Sequence, residues 1–393
     1  MNATELLDIT SSGETSKVQF KREFDNEDSI AAEMIAFSNS KGGVILFGVE
    51  DKKGTIHGLD YQQLQTYSSK ISTIAHDKVK PQIFIFTEVV SVFMEGEEKK
   101  VLAVQVLEGV GKPYKDKNGA IWIKQGSDKR RLTDNNEQIR LFQQSGFLYV
   151  DEMIVPGTGL ADVDKSKLND YLKQVLKKTR KNVNISQNIL YQNLNVIRDS
   201  KMTLGGLLFF AKEPQKYRPA FCIKAISFFG NSIGGLNYRD SQDIIGTIPD
   251  MFDESMFFFK RNLRHVQKGQ NFNKPGILEI SEVALEELLQ NALVHRDYSK
   301  NAPIRLMIFD DRVEIVSPGC LPNSLTVDNI KVGNAAVRNN LLVSFCSKLM
   351  NYKGFGSGIV RAMEEQSNIE LINDVAGEQF IVKIPREPVT NFA

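Results

Sequence analysis

The sequence predicts an α+β protein that is divided into several domains. Its 393 residues are too many for one ordinary hydrophobic core. Hydrophobic residues make up 41% and charged residues 25% of the chain, which are the proportions of a globular protein. Helical and strand-like hydrophobic patterns alternate along the chain without an internal repeat. We expect three domains in order: residues 1–150, 151–272 and 273–393.

Composition restricts the function classes. The chain has 49 Lys and Arg residues against 48 Asp and Glu residues, so any affinity for nucleic acid must come from local clusters of basic residues. The first residues include Glu5 and no apolar core of a signal peptide, and no apolar run approaches the ~20 residues that span a bilayer. The cysteines Cys222, Cys320 and Cys346 lie far apart, which favours a reducing compartment. We expect a cytoplasmic protein with no membrane partner.

The N-terminal third combines short strands with one apolar helix. Residues 17–21 alternate like a strand, and the apolar spacing from Ser29 to Asn39 predicts a helix that Ser29 can cap. Gly42 and Gly43 can end that helix in a tight connection. The remaining predicted elements are strands at 44–49, 82–90, 100–106 and 120–124 and a helix at 136–144.

These elements occur in a recognisable order. The motifs concerned are Gln19-Phe20-Lys21, residues 36–43, residues 47–51, Lys112-Pro113-Tyr114 and residues 121–127. Together they resemble the AlbA-type domain of Schlafen proteins. The resemblance implies nucleic acid as a partner, DNA in preference to RNA. A set of basic residues is expected to contact its phosphates, although singly each would be an ordinary surface charge: Lys21, Lys41, Lys124, Lys129, Arg130 and Arg131.

The same resemblance raises the alternative of a nuclease. Schlafen-like nucleases hold a divalent metal between carboxylates. Glu14 stands at the first acidic position and Glu50 or Asp51 at the last, which makes Glu14 and Asp51 candidate metal ligands. Gln19 stands where nuclease members have a second glutamate. A neutral amide weakens such a site, so the sequence favours binding over cutting.

A polar stripe marks the helix predicted from Ser281 to Val294. Glu287, Asn291 and His295 follow one another at intervals of four residues, so they share one face of a largely apolar helix. Burying a glutamate and an asparagine is costly unless both have partners. The stripe is therefore either a polar seam satisfied by neighbouring backbone or part of a binding site.

The downstream sequence favours a binding site. Gly354, Gly356 and Gly358 precede a helix, and alternate glycines allow backbone amides to approach phosphate. Strands are predicted at 304–310, 312–317 and 380–384. This order of polar helix, strand with a glycine turn and glycine-rich segment resembles the GHKL (Bergerat) ATP-binding fold.

That resemblance implies a role for each residue and a cofactor, ATP or ADP with Mg²⁺. Glu287 would be the catalytic base, and Asn291 would hold the Mg²⁺. The other nucleotide-binding residues would be His295, Ser317, Gly319, Lys353, Gly354, Gly356 and Gly358. Ser317 stands where GHKL ATPases have an aspartate that reads adenine.

Both resemblances occur together in bacterial proteins labelled as transcriptional regulators or RecG-like helicases. The middle segment, with a helix near 165–178, a strand-rich stretch at 204–229 and a junction at 271–276, would then be their linking domain. We predict a nucleotide-responsive, nucleic-acid-binding regulator that can form a homodimer. The alternatives are a metal-dependent nuclease gated by nucleotide, as in phage defence, and a DNA-binding protein with a vestigial pocket.

Overall fold

The computed structural model places two compact units along the chain, Met1–Leu148 (unit 1) and Tyr149–Ala393 (unit 2). It describes residues 1–51, 53–94, 96–179, 187–234, 237–267, 276–322, 325–350, 352–354 and 356–387. Residues 271–275 of the predicted junction lie outside these ranges. None of the helices in the described ranges has the length and apolar character that a membrane crossing needs.

Unit 1 is built on a four-stranded sheet. Its helices are α1 (Ala3–Ser12), α2 (Glu27–Asn39), α3 (Tyr61–Asp77) and α4 (Asn135–Gln144). Its strands are β1 (Val18–Lys21), β2 (Gly43–Phe47), β3 (Val79–Lys80), β4 (Ile85–Met94), β5 (Glu97–Val106), β6 (Lys115–Asp116), β7 (Trp122–Gln125) and β8 (Asp128–Arg131). The sheet has the order β1-β2-β5-β4, in which β1 and β2 are parallel and the other pairs antiparallel.

Helix α2 is almost wholly buried. Its N-terminal cap is Asn26, whose side chain accepts from the Ser29 amide, so the expected cap at Ser29 was three residues too late. Helices α1 and α3 were not predicted, although both begin with a capping box, Asn2 with Glu5 and Asp60 with Gln63. Both helices are amphipathic and have many polar residues. Their hydrophobic pattern was therefore less evident in the sequence than that of the apolar α2.

Two of the recognised motifs in unit 1 have a structural role. The buried Asn39 amide donates to the carbonyls of Tyr114 and Trp122, both at 2.9 Å, and its oxygen accepts from the Tyr114 amide at 2.7 Å. A Cβ on Gly43 would lie 2.3 Å from the Phe37 ring. Asn39 thereby holds β7 and the segment before β6 against α2, and Gly43 allows β2 to start beside that helix.

Unit 2 contains a six-stranded sheet covered by helices. The helices are α5 (Lys165–Thr179), α6 (Gln187–Asn193), α7 (Leu204–Phe210), α8 (Pro214–Tyr217), α9 (Ile248–Asn262), α10 (Glu282–His295), α11 (Val327–Lys331), α12 (Asn340–Leu349) and α13 (Gly358–Glu365). The strands are β9 (Ile197–Arg198), β10 (Lys201–Met202), β11 (Ile223–Phe228), β12 (Tyr238–Ile244), β13 (His265–Val266), β14 (Ile277–Leu278), β15 (Ile304–Ile308), β16 (Arg312–Pro318), β17 (Glu370–Asp374) and β18 (Gln379–Pro385). The sheet order is β12-β11-β15-β16-β18-β17.

This sheet crosses the boundary that was expected near residue 272. Strand β11 pairs in parallel with β15, from Ile223 opposite Ile304 to Ser227 opposite Ile308. One hydrophobic core contains buried residues from Val155 to Ile384. The segments 151–272 and 273–393 therefore belong to a single compact unit, because the middle segment supplies two strands of the shared sheet.

The stretch at 204–229 contains more helix than the sequence analysis expected. Residues 204–210 form the buried helix α7, and Thr203 caps it by accepting from the Gly206 amide at 3.0 Å. A short, fully apolar run carries no periodicity that separates a buried strand from a buried helix. Only β11, in the second half of the stretch, is a strand.

Candidate functional site

A cleft in unit 2 is built around helix α10. Ser281 caps the helix, and residues such as Leu285 and Leu289 bury its apolar side in the core. The three polar residues at spacing four, Glu287, Asn291 and His295, all line the cleft. The periodic pattern thus places a carboxylate, an amide and an imidazole along one wall.

The C-terminal end of α10 is held by a later segment of the chain. The buried Asn339 amide donates to the carbonyls of Val294 and Arg296, both at 2.8 Å. Arg338 donates to the His295 carbonyl at 3.3 Å and to the Cys320 carbonyl at 2.6 Å. These bonds satisfy carbonyls that the helix end leaves without partners and fix the wall of the cleft.

Each of the three glycines opposite α10 meets a separate steric requirement. Gly354 has φ 64° and Gly356 φ 80°, in the left-handed region that side chains disfavour. A Cβ on Gly358 would lie 2.6 Å from Glu287 Oε2 and 3.1 Å from Asn291 Nδ2. The first two glycines shape the segment, and Gly358 lets the N-terminus of α13 contact the polar stripe.

Strands β16 and β18 form the floor. Ile315, Ser317, Phe380 and Val382 line it, and the Ser317 hydroxyl donates to the Ala292 carbonyl at 3.1 Å. Position 317 has a hydroxyl rather than a carboxylate. It therefore lacks the charged acceptor with which an aspartate would read adenine.

The turn after β16 requires glycine. Gly319 has φ 100°, and a Cβ there would lie 2.4 Å from the Cβ of Asp297. The turn therefore packs directly on the segment that follows α10, and Cys320 lines the cleft immediately after it.

Asn291 has an unsatisfied atom at this site. Its Nδ2 is buried without a hydrogen-bond partner within the described part of the chain. A buried amide without a partner is costly, so this atom is suited to an acceptor on a ligand. Asn291 thus fits a nucleotide that binds together with Mg²⁺. A phosphate oxygen or a water bound to the metal would accept a hydrogen bond from Nδ2.

His295 is neutral at physiological pH. Burial, together with the nearby charge of Arg338, lowers the pKa of His295 to about 4. Its Nε2 lies 2.7 Å from the Tyr352 hydroxyl, and burial raises the pKa of Tyr352. This pair makes a polar but uncharged wall beside Asn291.

Glu287 carries an ion pair that the sequence did not reveal. Arg361 on α13 donates to Glu287 Oε1 through Nε at 2.8 Å and through a second nitrogen, and it also contacts the Ser357 hydroxyl. The exposed fraction of the side chain is 14% for Glu287 and 31% for Arg361.

All the predicted nucleotide-binding residues line this one cleft, including Ser317, Gly319 and the exposed Lys353. The sequence analysis missed Arg361, Tyr352 and Cys320. Arg361 could have been found, because it lies three residues after Gly358 and so faces the same side of α13.

The predicted phosphate contacts in unit 1 are less accessible than expected. The Lys124 side chain is 1% exposed, and its ammonium lies 3.0 Å from Gln19 Oε1 and 3.4 Å from Glu33. Lys129 also pairs with the buried Glu33, at 2.8 Å. Burial lowers the pKa of Lys124. These two lysines neutralise a buried carboxylate, so Lys124 does not present its charge to solvent, contrary to the expectation.

The other four basic residues fall into two groups, one held in ion pairs and one exposed. Lys21 is 14% exposed and pairs with Asp51 at 3.3 Å, and Arg130 pairs with Glu137 at 2.6 Å. Lys41 is 59% exposed and only loosely paired, at 3.9 Å from Glu108, and Arg131 is exposed. Lys41 and Arg131 are therefore the two members of the predicted set that offer charge to a partner.

The expected metal ligands of unit 1, Glu14 and Asp51, each hold other partners. The Glu14 carboxylate accepts from the side-chain amide of Gln19 and the backbone amide of Phe20. The Asp51 carboxylate accepts from the Lys21 ammonium and the backbone amide of Arg22. Among the described residues, no group of three His, Cys, Asp or Glu side chains could hold a metal ion. Glu14 and Asp51 are thus engaged with neighbouring groups of the protein, and the metal site stays a prediction.

Three family models match successive parts of the chain. Residues 14–133 match the Schlafen AlbA_2 model, residues 139–224 a domain of unknown function (DUF8451), and residues 301–384 the model described as "Putative ATP-dependent DNA helicase recG C-terminal". The C-terminal match begins after α10, so it covers the floor and the glycine segment but not Glu287, Asn291 or His295.

Comparison with individual proteins adds little. No curated protein matches the chain significantly. Among solved structures, the DIP2311 protein from Corynebacterium diphtheriae is similar at 20% sequence identity, with a TM-score of 0.47, over 98% of this chain and 81% of that one.

Unit 2 thus has a six-stranded sheet and a cleft in which the polar face of α10 lies opposite a glycine-rich segment. The chain carries an N-terminal Schlafen AlbA_2 domain and a C-terminal domain like that of the RecG-type helicase family. It is an α+β protein of several domains, as expected from the sequence. The two domains indicate a nucleic-acid-related protein with an ATPase-like domain.

Proposed function

We propose that this protein is a nucleotide-responsive, nucleic-acid-binding regulator whose cleft in unit 2 binds ATP or ADP with Mg²⁺. The observation that carries the proposal is Asn291 Nδ2, which is buried without a hydrogen-bond partner among the described residues and lies beside Gly358 in the cleft. Gly358 contributes the N-terminus of α13 directly beside it, and such a terminus attracts phosphate.

Roles in this site follow from position. Asn291 would bind Mg²⁺ through its side-chain oxygen and donate from Nδ2 to a phosphate oxygen or a metal-bound water, and the Mg²⁺ would neutralise charge on the phosphates. Glu287, at the same end of the cleft, would orient the attacking water. Lys353 is exposed at the rim and would meet the phosphates as a point charge. Because Ser317 replaces a base-reading carboxylate, we expect weak discrimination between adenine and guanine.

Calorimetry tests this site. Wild-type protein should bind ATP and ADP in a Mg²⁺-dependent manner. Asn291→Ala should bind with an affinity that no longer changes when Mg²⁺ is removed, because the metal ligand is gone. Asn373→Ala is a matched control: this amide bonds to the Leu321 backbone outside the predicted set and should leave the Mg²⁺ dependence in place. Mg²⁺-dependent binding that persists in Asn291→Ala would assign the metal to other residues.

Unit 1 supplies the proposed nucleic-acid surface. Its family match supports a nucleic-acid partner, and we propose DNA in preference to RNA. Binding to phosphates would rest on the exposed Lys41 and Arg131 rather than on all six basic residues. The buried Gln19–Lys124–Glu33 cluster gives the nuclease alternative no support. The homodimer stays a prediction.

The salt dependence of DNA binding separates exposed from buried charges. Lys41→Ala and Arg131→Ala should each reduce the slope of log affinity against log salt by about one unit, since each removes one phosphate contact. Lys124→Met should leave the slope unchanged and destabilise unit 1, because Glu33 loses a buried partner. Fluorescence anisotropy gives the slope, and Trp122, the only tryptophan, reports the stability of unit 1. A slope that falls by one unit in Lys124→Met would return that lysine to the binding surface.

A further inference from the structure

The strongest unexplained feature of the cleft is the ion pair between Arg361 and Glu287. Arg361 lies one turn into α13, directly after the glycine segment, and its Nε and a second nitrogen both donate to Glu287 Oε1. Its third nitrogen contacts the Ser357 hydroxyl at the start of the same helix. A guanidinium is thus held at the point where the glycine segment meets the polar stripe.

The two oxygens of Glu287 differ in this arrangement. Oε1 accepts the two bonds from Arg361, and Oε2 faces Gly358 so closely that a Cβ there would lie 2.6 Å away. Within the described residues, Arg361 is the one cation that pairs with this carboxylate. While Oε1 accepts two bonds from Arg361 it is not available to water, so this oxygen must exchange partners before it can accept a proton.

A terminal phosphate is the ligand chemistry that can bring about this exchange. It carries more negative charge than one carboxylate and offers several oxygens to a planar guanidinium, which binds phosphate bidentately. Arg361 is 31% exposed, so an incoming ligand can reach it from the cleft. Because α13 also presents its N-terminus here, a phosphate at this position would be attracted by the helix end as well.

We propose that Arg361 is the residue that recognises the terminal phosphate of ATP: without nucleotide it pairs with Glu287, and the phosphate displaces the carboxylate and frees it. The proposal rests on the proposed nucleotide site. ADP lacks the terminal phosphate, so it leaves the pair in place. Arg361 therefore sets the preference for ATP over ADP and links that preference to the availability of Glu287.

A double-mutant cycle on the full chain tests the proposal. Dissociation constants for Mg²⁺-ATP and Mg²⁺-ADP are measured by calorimetry for wild type, Glu287→Gln, Arg361→Gln and the double variant. Glu287→Gln should tighten ATP binding about tenfold, since Arg361 no longer has an anionic partner to leave, and should change ADP binding much less. Arg361→Gln should weaken ATP binding at least tenfold and make the two nucleotides bind equally. In the Arg361→Gln background, Glu287→Gln should have no effect on ATP.

The outcomes are distinguishable. Equal effects of Glu287→Gln in both backgrounds, or an unchanged ATP preference in Arg361→Gln, would show that the ion pair is only structural. Arg361→Lys restores the charge without the bidentate geometry and should recover part of the preference, which separates loss of recognition from misfolding. If wild type and all variants bind neither nucleotide, the proposed function itself fails and this inference falls with it.

Discussion

Replacing Gly358 with valine is expected to weaken nucleotide binding at least about 100-fold, about 2.8 kcal/mol, while unit 2 stays folded. A Cβ at this position would lie 2.6 Å from Glu287 Oε2 and 3.1 Å from Asn291 Nδ2. The valine would push both side chains out of the places where phosphate and Mg²⁺ are expected. Its backbone is not in the left-handed region, so the substitution displaces side chains rather than straining the chain.

The control for this variant is Gly234→Val. Among the described residues, a Cβ on Gly234 would meet nothing within 4 Å, so that variant should bind nucleotide as wild type does. Circular dichroism checks the fold of both variants. Wild-type affinity in Gly358→Val would mean that the phosphates do not lie beside the N-terminus of α13.

The second large effect concerns the buried carboxylate of Asp151. Its Oδ2 accepts from the Leu341 amide at 2.7 Å and the Leu342 amide at 3.1 Å, and it thereby caps α12 from outside the helix. Its Oδ1 is buried without a partner within the described residues. Burial raises the pKa of Asp151 to about 6 from its ordinary 3.8, despite the two amides that oppose the shift.

The sign of the resulting pH dependence follows from proton binding. Between pH 3.8 and about 6 the folded chain holds a proton on Asp151 that the unfolded chain has lost. The free energy of unfolding therefore falls as pH rises through this window. Relative to Asp151→Asn, which cannot ionise, the wild type should lose about 2 kcal/mol between pH 4 and pH 7.

Scanning calorimetry of the two proteins across that range measures the effect. Groups common to both proteins cancel in the difference, and Trp122 fluorescence identifies the transition of unit 1. A difference that stays flat, or that favours the wild type as pH rises, would show that Asp151 titrates as an ordinary carboxyl.

The wall of the cleft was predictable because it depends on local spacing. The interval of four residues from Glu287 to Asn291 to His295 determines that they share a face of α10, whatever lies opposite. The ion pair to Arg361 was not predictable in the same way, since the two partners are 74 residues apart in the chain.

The same distinction explains the basic residues and the domain boundary. A sequence shows that Lys124 and Lys129 are basic, but their common partner Glu33 is more than 90 residues away, so their neutralisation appears only in the fold. The parallel pairing of β11 with β15 likewise joins segments separated by about 80 residues. Long-range pairing, rather than local pattern, unites the middle and C-terminal segments.

Occupancy of the cleft by nucleotide can be measured at the thiol of Cys320. Cys320 lines the cleft and is partly exposed, whereas Cys222 and Cys346 are buried. Burial raises the pKa of Cys320, so labelling with a thiol reagent should be slow and is best followed at mildly alkaline pH. Mg²⁺-ATP is predicted to slow labelling of Cys320 severalfold in wild type and to have no effect in Gly358→Val. Labelling of wild-type Cys320 at an unchanged rate under millimolar Mg²⁺-ATP would contradict the account.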